Sequence, residues 1–299
     1  MENLKNIADM SEQKVENAIK RQKVMSIVSK VLVYIFLVLV AISVVFPFYW
    51  MVITSLKTDY EYNQLVPTVY VTYGFDFENY AQAIQVGNFL RNLGNTLLVA
   101  VVSTLLSTVI IVLAAFAFAR LEFKGKNTLF MALLATMMVP GELFTITNYA
   151  TVSNLGWTNS LTALIVPFLV SVFYIYLLRN TFKQIPDSLY YAAKVDGTSD
   201  LKYLVKVMLP MSSSTIISIV ILKIMGSWNA YIWPRLVNKN EEWRLISNWL
   251  TNGFVDEQGL VNYPMKMAGV VIVSLPLLIM FILFRKYIMR GVSKSGIKG

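Results

Sequence analysis

Six apolar stretches, each close to 20 residues long, leave this chain few folds to choose from. They fall at 31–53, 95–119, 129–149, 161–178, 211–233 and 268–284. A hydrocarbon core of about 30 Å takes roughly 20 apolar residues to cross as a helix. Inside lipid every backbone N–H and C=O must be bonded within the protein, so runs of this length spell helices. The sequence therefore predicts an all-α, polytopic membrane protein with six transmembrane helices. Composition points the same way, with 56% hydrophobic and 14% charged residues and a mean hydropathy of +0.58. A typical globular chain carries roughly 25% charged residues, so this one lacks the polar groups to coat a soluble surface.

The runs are not uniform. Lys223 interrupts the fifth and Pro276 the sixth, and a spanning helix tolerates Pro where neighbouring helices satisfy the freed carbonyl. The first run does not read as a signal peptide. Some 30 residues precede it and it ends in bulky Phe46-Pro47-Phe48-Tyr49-Trp50, whereas a signal h-region spans about 7–15 residues and closes on small ones. These aromatics read instead as an interfacial belt.

Charge sets the expected orientation. Of 26 Lys and Arg, 19 lie in the N-tail, the 120–128 loop, the 179–206 segment and the C-tail, and 6 lie in the opposite loops. The positive-inside rule then places both termini in the cytoplasm. The net charge of +9 is accounted for by this topology, so nucleic acid is not an expected partner. The chain divides accordingly into a cytoplasmic tail (1–30), a first transmembrane helix (31–53) and an extracytoplasmic loop (54–92). A core (93–285) with a cytoplasmic loop at 186–210 follows, then a C-terminal tail (286–299). In the N-tail, Leu4, Ile7, Val15 and Ile19 have helical spacing, which fits an interfacial helix on the inner leaflet or a solvated tail.

The chain contains neither cysteine nor histidine. That removes disulfides, thiolate nucleophiles, iron–sulfur and most zinc sites, and any His general base. No metal site is expected. Glu241-Glu242 and Asp256-Glu257 read as solubilising charge on a loop. A phosphate-binding loop is also missing, because the G-x-x-x-x-G from Gly291 to Gly296 runs into Ile297 rather than Lys. The chain is expected to hold no ATP-binding site of its own.

Ionisable groups within spans are costly and point to function by default. Glu142 follows Pro140-Gly141 in the third run, which should break the helix there, and a broken helix at membrane depth lines a cavity. Counted from Leu129 at 1.5 Å per residue, Glu142 lies roughly 20 Å up. It reads either as a polar group on a translocation path or as a packing carboxylate paired with a neighbour. Lys223 reads as a structural group that snorkels or pairs. Trp228 and Asn229 at the end of the fifth run are an interfacial anchor or pathway groups.

The 186–210 segment is the most informative. Pro186 sets a helix start and Asp187 suits its first turn. The helix should reach about Val195, where Gly197 supplies a residue able to take positive φ. Thr198 or Ser199 then caps a second helix that runs into the membrane. The small Ala192 and Ala193 would admit a partner surface closely, so the element reads as a docking knob or an ordinary interfacial elbow.

Its register resembles the EAA loop of ABC-importer membrane subunits. Tyr191-Ala192-Ala193 is followed six residues after Tyr191 by Gly197, with Asp196 before it and Val207, Leu209 and Pro210 beyond. Tyr191 stands where the family has Glu, so the ion pair which that Glu makes with the ATPase lacks its carboxylate here. Met138-Val139-Pro140-Gly141 with Asn154-Leu155-Gly156, and Ser227-Trp228-Asn229 with Trp233-Pro234, are similar to carbohydrate-type permeases. The end, Phe284-Arg285-Lys286-Tyr287 through Gly296-Ile297-Lys298-Gly299, resembles the maltose-permease G-subunit branch.

The resemblance implies a type I ABC importer (MetI-like) fold in the bacterial inner membrane. It implies pairing with a second, different permease, with two copies of a cytoplasmic ATPase that uses ATP, and with an extracytoplasmic binding protein that delivers a sugar. No cofactor is implied for this chain. Tyr191 to Gly197 would sit in an ATPase groove and the C-tail along the ATPase surface. In that branch the sugar contacts lie mostly on the other permease, so Glu142, Trp228 and Asn229 are pathway candidates only. The competing readings are an importer of glycerol-3-phosphate-like solutes, a stand-alone secondary transporter, and a membrane-embedded enzyme. The last two would need internal repeats with midplane charges, or clustered acids.

Overall fold

The computed structural model describes residues 2–251, 253–255 and 259–293, with side chains between 21 and 287. Asp256-Glu257 and the C-terminal Gly296-Ile297-Lys298-Gly299 lie outside the described residues. Three helical stretches, Arg21–Ser55, Phe89–Arg120 and Tyr263–Tyr287, are each long and apolar enough to cross a membrane, and three bent helix pairs raise the number to six. Each apolar run of the sequence coincides with one of these.

Helix α1 (Glu2–Ser55) is a single rod of 54 residues, about 81 Å at 1.5 Å per residue, and it passes Pro47 without breaking. The backbone is thus helical through the N-tail, but as a continuation of the first span and not as a separate element. None of the most apolar window of α1 is buried within the chain, which leaves its sides for lipid or a partner.

Between α1 and the next long helix, α2 (Asp59–Tyr62) and α3 (Glu78–Gln85) form a compact cap around buried polar groups. The Glu61 carboxylate accepts from the Thr72 N–H at 2.8 Å and the Thr68 hydroxyl at 3.1 Å. Lys57 donates to the carbonyl and hydroxyl of Thr68, and the Asn79 amide donates to the Ser55 and Lys57 carbonyls. Burial pushes the Glu61 carboxyl up, but hydrogen bonds from the Thr72 and Tyr73 backbone and Thr68 outweigh it and hold the group below its usual range.

Helix α4 (Phe89–Arg120) is the hub. Its buried positions include Ala100, Ser103, Thr104, Ser107, Ala115 and Ala119, a stripe of small residues that lets other helices approach closely. Helix α5 (Lys126–Thr136) and, past a break at 137–140, a 3-10 turn (Gly141–Phe144) continuing into α6 (Thr145–Asn154) make the third span, bent by 84° at that break. The break falls at Pro140-Gly141 as the sequence predicts.

The fourth span departs from expectation. Helix α7 (Leu161–Ile165) passes into a 3-10 turn (Val166–Phe168) and then, after a 43° bend, into α8 (Val172–Lys183). Pro167 inside the turn lacks an N–H and crowds the preceding carbonyl, so the α register cannot continue. Two freed carbonyls are satisfied from neighbouring helices: the Ser107 hydroxyl donates to Leu169 at 2.6 Å and the Lys223 ammonium to Phe168 at 2.8 Å.

The next elements are α9 (Asp187–Val195), α10 (Asp200–Tyr203), a π-helical turn (Leu204–Met208), α11 (Leu209–Met211) and α12 (Ser213–Trp228). Residues 200–211 do not run straight into the membrane. They meet α12 at 82°, with Pro210 at the elbow, and the π register just before it absorbs the missing Pro N–H. The fifth span accordingly begins past Ser212 and stops at Trp228, short of 233. Beyond it lie α13 (Ile232–Val237), α14 (Ile246–Trp249) and α15 (Tyr263–Ser293), whose Pro276 leaves the helix continuous.

Trp249 anchors the loop before α15. It is buried between Phe89 and Phe254, and its indole N–H donates to the Val86 carbonyl at 2.8 Å. Asn95 and Thr96 of α4 hold the same loop through the Glu242 and Arg244 carbonyls and the Ile246 N–H. Glu241 and Glu242 are exposed and pair with Arg244 and Arg91, as solubilising charges do.

Candidate coupling helix and membrane cavity

Helix α9 ends in a turn that fixes its direction. The Thr198 N–H reaches the Ala193 carbonyl at 2.8 Å and the Gly197 N–H reaches Lys194 at 3.0 Å, with Gly197 at φ +71°. This is the Schellman arrangement, in which a left-handed residue closes the last helical carbonyls. Ser199, rather than Thr198, caps α10 by accepting from the Lys202 N–H at 3.4 Å. Asp196 occupies the C-cap of α9.

Across this turn Asp200 gathers two donors, the Lys194 ammonium at 2.7 Å and the Tyr190 hydroxyl at 2.7 Å. Hydrogen bonds from Lys194 and then Tyr190 hold the Asp200 carboxyl below its usual range, and the bond to Asp200 raises Lys194. Tyr190 also packs edge-on against buried Tyr203, ring centroids 5.2 Å apart. Lys194 and Asp200 are thus spent on one another, while Asp196 is exposed. Large apolar groups are exposed with it: Tyr191 is 65% exposed and Val195 87%, and Leu201 is exposed as well. Ala192 is exposed, while Ala193 and Leu209 pack against the core and Pro210 is exposed at the elbow.

The sequence-predicted loop residues are therefore brought together, but the residues that seat α9 on the bundle were counted in the sequence only as positive-inside charge. Arg120, at the end of α4, is 6% exposed. Its guanidinium donates to the Phe182 carbonyl at 2.8 Å, to the Ile185 carbonyl, and to Asp187 at 2.8 Å. It thereby ties α4 to the end of α8 and the start of α9. Arg179 lies over the Phe130 ring at 3.9 Å and donates to the Phe118 carbonyl. The available signal was an Arg directly closing an apolar run and an Asp opening the next short helix, 67 residues apart. Nothing local pairs them.

Glu142 lies exposed in the 3-10 turn of the third span, and Met138 (85%) and Ile146 (80%) to either side are also exposed. Among the described residues it makes no ion pair, so the packing reading has no support within this chain. Trp228 is buried, in contact with the α15 side of the core, and its indole N–H donates to the Val273 carbonyl at 3.2 Å. Asn229, one residue further, is exposed where α12 ends and lines a cavity of about 590 Å³. Its walls include Ser103 of α4, Phe168 at the break in the fourth span, Tyr174 of α8, and Lys223 and Ser227 of α12. Among the described residues no group of three or more His, Cys, Asp or Glu could hold a metal.

Residues 107–294 match the family model of the binding-protein-dependent transport system inner membrane component. The chain belongs to this family. The match runs from the middle of α4 through α9 to the end of α15. A probable ABC transporter permease of Mycoplasma pneumoniae is 30% identical over 272 residues, covering 86% of this chain and 85% of that protein. The trehalose/maltose transport system permease MalG of Thermococcus litoralis is 29% identical over 277 residues, covering 91% and 98%. Among solved structures, a bacterial ABC transporter involved in alginate import shares the fold at TM-score 0.78 and 23% identity, over 89% of this chain and 96% of that one. The permease is thus a multi-pass membrane component of a binding-protein-dependent system.

Proposed function

We propose that this permease is one half of the translocation pathway of an ATP-driven importer for a sugar or oligosaccharide. An extracytoplasmic binding protein delivers the solute, a second, different permease completes the pathway, and two copies of a separate ATPase drive it. ATP is used by that ATPase and not by this chain. The carbohydrate class is supported by the trehalose/maltose and alginate systems to which the chain is similar.

The observation that carries the reading is α9. It is a short helix at the basic end of the bundle, closed by a Schellman turn and presenting Tyr191 and Val195 outward. Its base is bonded through Arg120 to the hub helix. A partner that moves α9 would move α4 with it, as rigid-body alternation between two states requires. In this reading the basic end faces the cytoplasm, with both termini. Tyr191 packs in an ATPase groove where the family's Glu would pair.

Gentle detergent extraction of the tagged chain, with mass spectrometry of what accompanies it, tests the reading. A second six-span permease and an ATPase are expected. Recovery of the chain alone as a homo-oligomer would overturn it and favour a stand-alone carrier.

A further inference from the structure

The cavity of about 590 Å³ is of ligand size, since small-molecule sites run from roughly 300 to 1,000 Å³. Its composition is unusual for membrane depth. Lys223 lines it together with Ser103, Ser227, Asn229 and Tyr231, and no Asp or Glu does. An ammonium has three N–H donors. One of those of Lys223 meets the Phe168 carbonyl, and among the described residues it has no ion-pair partner.

Plugging that carbonyl does not explain the charge. The adjacent Leu169 carbonyl is served by the Ser107 hydroxyl, so a neutral donor suffices at this break. A cation inside a span persists where it faces a cavity or finds an anion. Arg235, exposed and not itself a wall residue, donates to the hydroxyl of Tyr231, which is one. The walls are otherwise largely apolar and aromatic, with Tyr174, Tyr231 and Phe168, and such surfaces receive the C–H faces of a ring while a few polar groups fix its orientation.

We propose that this cavity is a solute subsite for an oxyanion carried on a sugar-sized molecule, a carboxylate or a phosphate, with Lys223 as the residue that recognises it. The inference rests on the importer reading and adds the class of solute. The two free N–H groups of Lys223 donate to the oxyanion, and Asn229 and Ser227 take neighbouring hydroxyls.

The absence of cysteine from the chain makes a direct test possible. Asn229→Cys places a single thiol of this subunit at the cavity wall in the purified complex. It is reacted with an anionic sulfonatoethyl and a cationic trimethylammonioethyl methanethiosulfonate, with labelling read on this subunit by mass. Relative to free cysteine, the anionic reagent should gain about tenfold over the cationic one, as a focused positive potential gives. That preference should vanish with Lys223→Met and persist with Lys223→Arg. No labelling by either reagent, no anionic preference, or a preference unmoved by Lys223→Met overturns the proposal. If Lys223→Met fails to insert, the preference measured with Lys223 in place still decides.

Protection of the thiol by a uronate oligosaccharide assigns a carboxylate, and protection by a hexose phosphate assigns a phosphate. Equal protection by a neutral oligosaccharide, or protection by none of the three, refutes the solute class. Whether an ATPase co-purifies is read separately, so failure of the importer reading and failure of this site cannot be confused.

Discussion

Gly197 offers the sharpest test of the coupling turn, because its demand is conformational and not steric. It sits at φ +71°, and a Cβ built on it would meet nothing within 4 Å. Its N–H closes the Lys194 carbonyl at 3.0 Å. Substitution by Ala therefore meets no clash and costs only the left-handed conformation, roughly 1–2 kcal/mol. Asn, which tolerates that region, should cost less. Proline fixes φ near −65° and has no N–H. It cannot adopt this turn at all and also loses a hydrogen bond worth about 1 kcal/mol. The expected order of coupled transport is wild type, Gly197→Asn, Gly197→Ala, then Gly197→Pro. The last should insert and assemble normally yet uncouple ATP hydrolysis from uptake. Proteoliposomes holding the whole complex, scored for solute taken up per ATP hydrolysed, give the readout. Normal transport by Gly197→Pro would refute the assignment of this loop. Gly197→Ala as defective as Gly197→Pro would show that space, and not backbone conformation, is limiting.

Arg120→Met leaves two carbonyls near the α8–α9 junction without their charged donor, bonds worth about 1.5–3 kcal/mol each; exposed Asp187 (side chain 72% exposed) adds little. We expect a lower melting temperature and faster proteolysis between α8 and α9, and an unchanged protease pattern would argue against the seat. Glu142→Gln should lower uptake without lowering the melting temperature, whereas a lower melting temperature with normal uptake would reassign Glu142 to contact with a partner chain. For the Asp200–Lys194 pair the signs are opposite. Lowered Asp200 stabilises the turn above its ordinary 3.8 and loses this as pH falls below it, and raised Lys194 stabilises it below 10.5 and loses this as pH rises beyond. Coupling should then be flat from about pH 5 to 9 on account of this pair, and Asp200→Asn should weaken it uniformly across that window.

The spans were legible because lipid imposes one rule, helix or nothing, and the apolar runs are long enough to obey it. Pro140-Gly141 announced the third break for the same reason. The break in the fourth span was missed although Pro167 stood in plain view. Apolar length alone does not say whether neighbours will satisfy the carbonyls a break releases: here the Trp233 indole serves Ala163, the carbonyl that Pro167 cannot reach, and Ser107 and Lys223 serve Leu169 and Phe168, all from 55 to 70 residues away. Trp228 and Asn229 show the limit from the other side. Adjacent residues at a helix end project in different directions, and only the packing of α12 on α15 decides that the Trp is buried and the Asn faces the cavity. The turn around Gly197 was readable because its chemistry is local, whereas the seat beneath it, Arg120 on α8 and α9, is a contact between distant segments and left no local pattern.

That seat bears on how a push on α9 could reach the cavity. Arg120 fixes the base of α9 to the end of α4, and α4 is a continuous helix of 32 residues, about 48 Å long. The same helix carries Ser107, which holds the break in the fourth span, and Val99 and Ser103, which line the cavity. The seat of α9, the proposed coupling surface, and the cavity wall are therefore two stations on one stiff element. No chain of side-chain rearrangements is needed between them, because a tilt of α4 displaces both. Loosening the seat, as in Arg120→Met, should then reduce the transmission of nucleotide state to the cavity. With the thiol at position 229, the change in its labelling rate between the nucleotide-free and ATP-bound complex should shrink in that variant while the basal rate stays put. An undiminished nucleotide response would mean that the signal travels through the elbow at Pro210 and α12 instead.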